Sequence, residues 1–405
     1  MILSKKIIGL DLLRFSMAIL MVLYHIQGLI NDSILNELIF NGFFGTSTFF
    51  ILSGFILTHV YYRKIEEKKF SNTNFLLKRF SALYPIHIFT MCMAIITFFS
   101  LSIITKKSFP TELPIQALPS IQSNEVMEIY FIDIFKYIIE SITLIQAWDY
   151  HFLFLNPAAW SVSALFFFYL TFNFFVKILK NIKNLKKFMM VFWIFSLIPA
   201  IYFTYTQNFS SDIIGLMHRN PVLRLPEFIA GIIFYLICLN SKIYSKKYQI
   251  FCLFFAGFGF FLMHYLVKTA PQLWFYLSHN GLFLFPQLAL IYCFLSINFN
   301  NHKITTLIER LGKASLSIYM LHLPLLSIYF ILYKLIIAST QVSTINEIIE
   351  TAKSIDQLDI ISTLIFIILL IPISLYLQEK LFTPIQVKLS NKLIWIKTML
   401  NHRET

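Results

Sequence analysis

Residues 7–26 read IIGLDLLRFSMAILMVLYHI, a long apolar stretch interrupted by polar residues. It is about as long as the roughly 20 apolar residues that cross a bilayer core as a helix. It nevertheless contains three ionisable side chains, those of Asp11, Arg14 and His25. Such side chains are costly inside a membrane and usually face a partner or an internal cavity. The stretch therefore predicts a membrane helix with one polar side turned toward the interior of a bundle.

The rest of the chain has the same apolar character. Of its 405 residues, 58% are hydrophobic and 13% are charged, and the mean hydropathy is +0.72. Soluble domains carry about 25% charged residues. We therefore predict an all-α polytopic membrane protein with about ten transmembrane helices. The predicted spans are 7–30, 41–62, 80–104, 156–176, 188–206, 222–240, 249–267, 280–297, 314–336 and 359–378.

The positive charges follow the order of the spans. Basic residues concentrate in the connectors 62–70, 177–187, 241–248 and 300–313 and in the tail from Lys380 onward. The positive-inside rule places such segments in the cytoplasm, so we predict that both termini are cytoplasmic. The net charge of +13 is thereby explained by topology, and we expect no nucleic-acid partner.

The remaining organisation is simple. All four cysteines lie in apolar runs, which predicts buried thiols, no disulfide framework and no metal site. No linker divides the chain, so residues 1–380 are predicted to form one membrane domain and 381–405 a basic cytoplasmic tail. Residues 131–147 fit the alternation of sides only as an amphipathic helix that lies at the interface or folds back into the protein.

The polar residues of the first span share one side of the helix. Arg14 and His25 are eleven residues apart, which corresponds to about 16 Å of rise and about 20° of rotation. Asp11 lies on the same side. This spacing fits a structural Asp11–Arg14 pair with a hydrogen-bonded His25 as well as it fits a functional site.

Other polar residues lie at membrane depth and allow two interpretations each. Lys78 and Arg79, at the cytoplasmic mouth of the third span, are either orientation signals or a docking point for an anionic phosphate. Arg224 and Glu227 are spaced to pair on one helix face, or to supply an acid–base group at the depth of His25. His322 is either a structural residue or part of a site.

Taken in order, six stretches resemble motifs of the membrane acyltransferase-3 family. The likeness runs from about residue 7 to about residue 378. The stretches are GLDLLRFSMAILMVLYH (9–25), FFGTSTFFILSGFIL (43–57), LKRFSALYPIH (77–87), NPAAWSVSALFFFYL (156–170), LRLPEFIAG (223–231) and LGKASLSIYMLH (311–322).

The resemblance implies an integral membrane O-acyltransferase of the bacterial inner membrane. Its co-substrate would be cytoplasmic acyl-CoA, with acetyl-CoA the expected form and no metal. Its acceptor would be a hydroxyl of a surface carbohydrate or glycolipid, such as lipopolysaccharide O-antigen, capsule or another exopolysaccharide.

The resemblance also implies a role for each matching residue. His25 would be the general base, assisted by Arg14 and Asp11. The acyl-CoA-binding residues would be Lys78, Arg79 and Ser53, and the acceptor-binding residues Glu227, Arg224, Trp160 and His322.

Two positions depart from the family pattern. Ala82 stands where the family has a second Arg of the basic motif, and Leu165 stands where it has a Glu. These losses leave open an alternative, namely a catalytically impaired member that binds a glycolipid or regulates a partner. A polysaccharide polymerase or a transporter of lipid-linked sugars would share the many spans, but would not explain the six ordered motifs.

Overall fold

The structure is a computed structural model that describes residues 6–30, 39, 42–105, 111–114, 126–150, 155–240 and 246–401. Sixteen α-helices account for most of these residues. They are α1 Ile8–Ile26, α2 Phe43–Glu66, α3 Asn72–Thr105, α4 Phe131–Thr143, α5 Trp160–Leu179, α6 Leu185–Ser196, α7 Ile198–Tyr205, α8 Ser211–Arg219, α9 Pro221–Asn240, α10 Lys246–Thr269, α11 Pro271–His279, α12 Leu284–Phe294, α13 His302–Ser339, α14 Ile345–Lys353, α15 Ile360–Leu377 and α16 Thr383–Asn401. The strands β1 Thr111–Pro114 and β2 Val126–Ile129 pair antiparallel as a short ribbon.

The all-α polytopic architecture is confirmed. Within the described ranges, nine helical segments are long and apolar enough to cross a membrane, and a bent pair of helices makes a tenth. Each of the ten contains one of the predicted spans in large part. The bent pair is α11 with α12, which meet at 45°. Gly281 lies at this break with a φ of +100°, a backbone conformation that glycine adopts without steric cost.

Helix α1 packs along α13 and α2. Asp11 meets Gly312 near the start of both α1 and α13, and His25 meets His322 further along both helices. The two helices therefore run in the same direction, as the predicted topology requires. The buried side of α1 is apolar; its fully buried residues include Leu13, Ala18, Val22 and Ile26.

Helices α2 and α9 form a second parallel contact of unusual closeness. A Cβ atom on Gly54 would lie 2.0 Å from the backbone oxygen of Phe228, and one on Gly231 would lie 2.0 Å from that of Ile51. Small residues allow helix backbones to approach in this way where no hydrophobic force drives helices together. This seam holds Arg224 of α9 against Ser47 of α2.

The amphipathic segment at 131–147 contains the short helix α4. The side chains of Ile132, Phe135 and Ile139 on its apolar side are 72%, 52% and 59% exposed. On its polar side, Lys136 pairs with Asp149 at 2.6 Å, and this hydrogen bond raises the pKa of Lys136. The separation into two sides fits the predicted interfacial position.

The predicted tail is helical as far as Asn401. Helix α16 packs against α3, where Gln386 Nε2 donates to the backbone oxygen of Ala82 at 2.9 Å. Further along, Lys397 Nζ donates to Asn74 Oδ1 at 2.8 Å. The segment is therefore docked on the same end of α3 that bears Lys78 and Arg79.

Candidate active site

His25 of α1 and His322 of α13 are in direct contact. His322 Nε2 lies 3.0 Å from His25 Nδ1. His25 Nδ1 is also 2.8 Å from the backbone oxygen of Met21, and His322 Nδ1 contacts the backbone oxygen of Tyr319. A carbonyl oxygen only accepts, so the proton of each neutral ring belongs on Nδ1. His25 Nε2 is then left with its lone pair, in the form that a general base requires.

The position of His322 is fixed by the turn that precedes α5. His322 is fully buried, and its ring stacks on that of Tyr319 at 5.6 Å between centroids. The Tyr319 hydroxyl donates to the backbone oxygen of Ala158 at 3.2 Å, and Asn156 Nδ2 donates to that of Met320 at 2.9 Å. Neighbouring packing thus holds the imidazole that faces His25.

Arg224 and Glu227 form a buried ion pair on α9. Their closest atoms are 3.0 Å apart, and their side chains are 3% and 5% exposed. Arg224 Nη2 donates to Ser47 Oγ at 2.9 Å, and Nη1 donates to the backbone oxygen of His279. The predicted helix-face pair is therefore present, and it joins α9 to α2 and to the end of α11.

Two further histidines lie beside this pair. The His279 ring stacks on Phe43 at 3.7 Å between centroids, and the His218 ring contacts Trp160 at 4.9 Å. The two imidazoles are 6.1 Å apart, and His218 is within electrostatic range of His25. Sequence reasoning missed both histidines because they lie in connectors that it treated as poor in charge. Both histidines lie just before a predicted span, at the end where His25 also lies, and this shared level could have indicated that they belong to the same site.

The other end of α1 opens onto a cavity. Asp11 and Arg14 are paired at 3.7 Å, and their side chains are 14% and 27% exposed. Both line a cavity of about 790 Å³ between α1, α2 and α9. Lys6, His59, Tyr62 and Arg63 also line it. Arg14 therefore lies between the bundle interior and a space large enough for an extended small molecule.

The predicted donor-binding residues lie elsewhere. Arg79 donates to the Tyr61 hydroxyl at 3.0 Å, and its guanidinium lies over the Tyr61 ring. Lys78 is exposed, and Ser53 Oγ donates to the backbone oxygen of Phe49 at 2.8 Å. None of the three lines the cavity at Arg14. Arg79 is nevertheless within electrostatic range of Arg14.

The two departures from the family pattern have different surroundings. Ala82 is partly buried, with its backbone oxygen bonded to Gln386 of α16. Leu165 is 6% exposed and belongs to the apolar core. An ionised Glu at position 165 would need a polar partner in that core, so the leucine is consistent with the packing found there.

Among the residues that the structure describes, no group of three or more His, Cys, Asp or Glu is arranged to hold a metal ion.

Comparison with known proteins gives one match. The family model of the acyltransferase-3 type, described as an acyltransferase domain, matches residues 7–379. No curated protein matches the chain, and no solved structure does either. The match covers the bundle with both ends of α1, the α2–α9 seam and His322, and it confirms the resemblance. The chain belongs to the acyltransferase-3 family of membrane acyltransferase domains.

Proposed function

We propose that this protein is an O-acyltransferase that moves an acyl group, expected to be acetyl, from cytoplasmic acyl-CoA to a hydroxyl of an extracytoplasmic carbohydrate. The observation that carries the proposal is the His25–His322 contact. It leaves His25 Nε2 as a proton acceptor on the same helix that borders a large cavity at Arg14. On the predicted topology the cavity faces the cytoplasm and His25 lies toward the outer side.

In the proposed reaction, the acceptor hydroxyl oxygen attacks the carbonyl carbon of the thioester. His25 Nε2 takes the hydroxyl proton as the new C–O bond forms. The tetrahedral intermediate then collapses with cleavage of the C–S bond, and the departing CoA sulfur takes the proton from His25. Positioned general bases of this kind contribute about 10²–10⁴-fold in rate.

Arg14 is proposed to orient the acyl-CoA arm, and Asp11 to hold Arg14. The cavity supports this role because the side chain of Arg14 lines it and is 27% exposed. A polar group of the acyl-CoA arm can therefore contact the guanidinium. Lys78 and Arg79 stay proposed phosphate contacts, outside the lining of this cavity. Ser53 stays a proposed donor contact on α2.

Acceptor binding is proposed for Trp160, Arg224 and Glu227. The Trp160 ring is 5% exposed and lies beside His218, so in this proposal it contacts the sugar from inside the bundle. His322, which the resemblance assigns to the acceptor, is proposed instead to position His25, because its Nε2 faces that ring. The acceptor class, a surface polysaccharide or glycolipid in a bacterial inner membrane, follows from the family resemblance.

The test is acyl transfer by purified full-length protein in lipid nanodiscs, with radiolabelled acetyl-CoA and a surface-glycan extract. The variant His25→Ala is expected to lose about 10²–10⁴-fold in rate. The matched control is His302→Ala, at an exposed histidine where α13 begins, which is expected to retain wild-type rate. Undiminished transfer by His25→Ala would refute the role of His25.

The same assay separates the alternative function. A catalytically impaired glycolipid-binding member is favoured by Ala82 and Leu165. Such a protein would bind glycolipid without binding labelled acetyl-CoA, and the wild type would transfer nothing. Labelled acetyl-CoA bound by the wild type, together with transfer lost in His25→Ala, supports the enzyme.

A further inference from the structure

A second cavity shares no described lining residue with the cavity at Arg14. It has a volume of about 600 Å³ and lies between α6, α9, α10 and α12. Helix α10 packs mainly against α11 and α12, which leaves a gap between α10 and α6. We call this gap the α6–α10 groove. Its volume falls within the roughly 300–1,000 Å³ of typical small-ligand sites.

The walls of the α6–α10 groove are almost wholly apolar. Phe234 and Leu288 form its floor, and Met190, Phe251 and Phe255 form its rim. The rim side chains are 46%, 62% and 38% exposed in the order given. An empty recess between such walls would forfeit dispersion contacts on every side. In a bilayer, the molecules able to supply those contacts are lipids and their acyl chains.

One end of the α6–α10 groove has a different chemistry. Lys186 is the charged residue among its described lining residues, and it belongs to the basic connector 177–187. Tyr248 and Tyr292 line the groove and meet edge to face at 5.2 Å between centroids. Lysine and tyrosine together are typical of the level of lipid headgroups. On the predicted topology this end lies at the cytoplasmic surface.

We propose that the α6–α10 groove binds one anionic phospholipid of the cytoplasmic leaflet. Its phosphate lies at Lys186 beside the tyrosine pair, and an acyl chain runs along the apolar walls toward Phe285. The cationic end selects the anionic headgroup, and the enclosed walls distinguish this lipid from the annular lipids on open helix faces. The proposal does not depend on acyl transfer.

Native mass spectrometry of the full chain tests the proposal. The protein is released from nanodiscs that contain equal amounts of phosphatidylglycerol and phosphatidylcholine with identical 16:0/18:1 chains. We expect one retained lipid, with phosphatidylglycerol preferred. Lys186→Glu is expected to lower this preference at least about fivefold, since loss of one basic residue at an anionic surface has that effect alone and the new carboxylate repels the phosphate. Lys187→Glu, the same change at the adjacent exposed residue outside the groove, is expected to have no effect.

A second variant tests the apolar walls. Met190→Trp places a larger side chain in the groove from a half-exposed position, so it fills the space without displacing packed core residues. We expect it to lose the retained lipid of either headgroup while its thermal unfolding stays that of the wild type.

Several results would overturn the proposal. They are no retained lipid in the wild type, equal retention of both headgroups, equal effects of Lys186→Glu and Lys187→Glu, and retention unchanged by Met190→Trp. Displacement of the lipid by an equal concentration of palmitoyl-CoA would also overturn it, since the groove would then hold the chain of an acyl donor. None of these results bears on the His25 assay.

Discussion

The two ends of α1 solve different problems. At the inner end, which the predicted topology places on the cytoplasmic side, Asp11 and Arg14 are loosely paired at 3.7 Å and border a cavity of about 790 Å³. At the outer end, His25 is in hydrogen-bond contact with His322, close to the Arg224–Glu227 pair that is almost fully buried. The inner end has room for a long, flexible molecule such as the proposed acyl-CoA arm. The outer end is held rigidly by neighbouring helices.

This difference suits a reaction with substrates on opposite sides of a membrane. A site that binds a long, flexible donor needs space and charged side chains that can move to meet it. A site that transfers a proton gains from groups whose rotamers are fixed before the substrate arrives, because small displacements cost rate. The variants below test whether the contrast between the two ends is real.

The largest expected effect is on folding at the outer end. Arg224→Ala leaves the buried Glu227 without its counter-ion and should destabilise the protein by about 3–5 kcal/mol. The double variant Arg224→Met with Glu227→Met removes both charges and should regain most of that loss. Thermal unfolding in detergent measures both. Equal stability of the single and double variants would show that the pair is not isolated from solvent.

The next effect is on catalysis. His322→Gln removes the ring nitrogen that accepts a hydrogen bond from His25 Nδ1–H, and we expect kcat to fall about 10- to 100-fold, the effect of losing a partner that orients a metal-bound histidine. The KM for acyl-CoA should be unchanged, because the donor is held at the other end of α1. The pH profile of kcat should shift as well. A raised KM with unchanged kcat would instead assign His322 to substrate binding.

A third variant loosens the seam that supports the outer end. Gly54→Ala places a methyl group against the backbone of α9 and should cost about 1–3 kcal/mol of stability. Gly257→Ala is the matched control, since a Cβ there meets no atom within 4 Å. That control should be neutral or stabilising by up to about 1 kcal/mol. Equal thermal stability of both variants would contradict the close packing of α2 on α9.

The smallest effect belongs to the inner end. Lys6 pairs with Glu309 at 2.7 Å, but the two side chains are 49% and 30% exposed. Lys6→Ala should therefore change stability by less than about 1 kcal/mol, and by less still in high salt. A loss of stability as large as that of Arg224→Ala would contradict the proposed difference between the two ends.

Much of the fold was accessible from the sequence. Hydropathy located all ten spans, because length and apolar character are the requirements that a bilayer imposes. Helical periodicity was sufficient to place Arg14 and His25 on one side of α1, since that relation is local.

The candidate site could be predicted less completely from the sequence. His25 and His322 are separated by 297 positions in the chain, and no local pattern predicts such a contact. His218 and His279 lie at the ends of the short helices α8 and α11, which are far apart in the chain. The Tyr61 ring beside Arg79 likewise comes from α2, a different part of the sequence.

The chain from Ile360 to Leu400 forms a helical segment of 41 residues. At 1.5 Å per residue it is about 60 Å long, about twice the thickness of a bilayer core. A helical segment of that length extends beyond the hydrocarbon layer. Its hydrogen bonds to Ala82 and Asn74 hold its C-terminal half against α3. The helix α16 is therefore docked on α3, and a label attached near Leu400 would move together with α3.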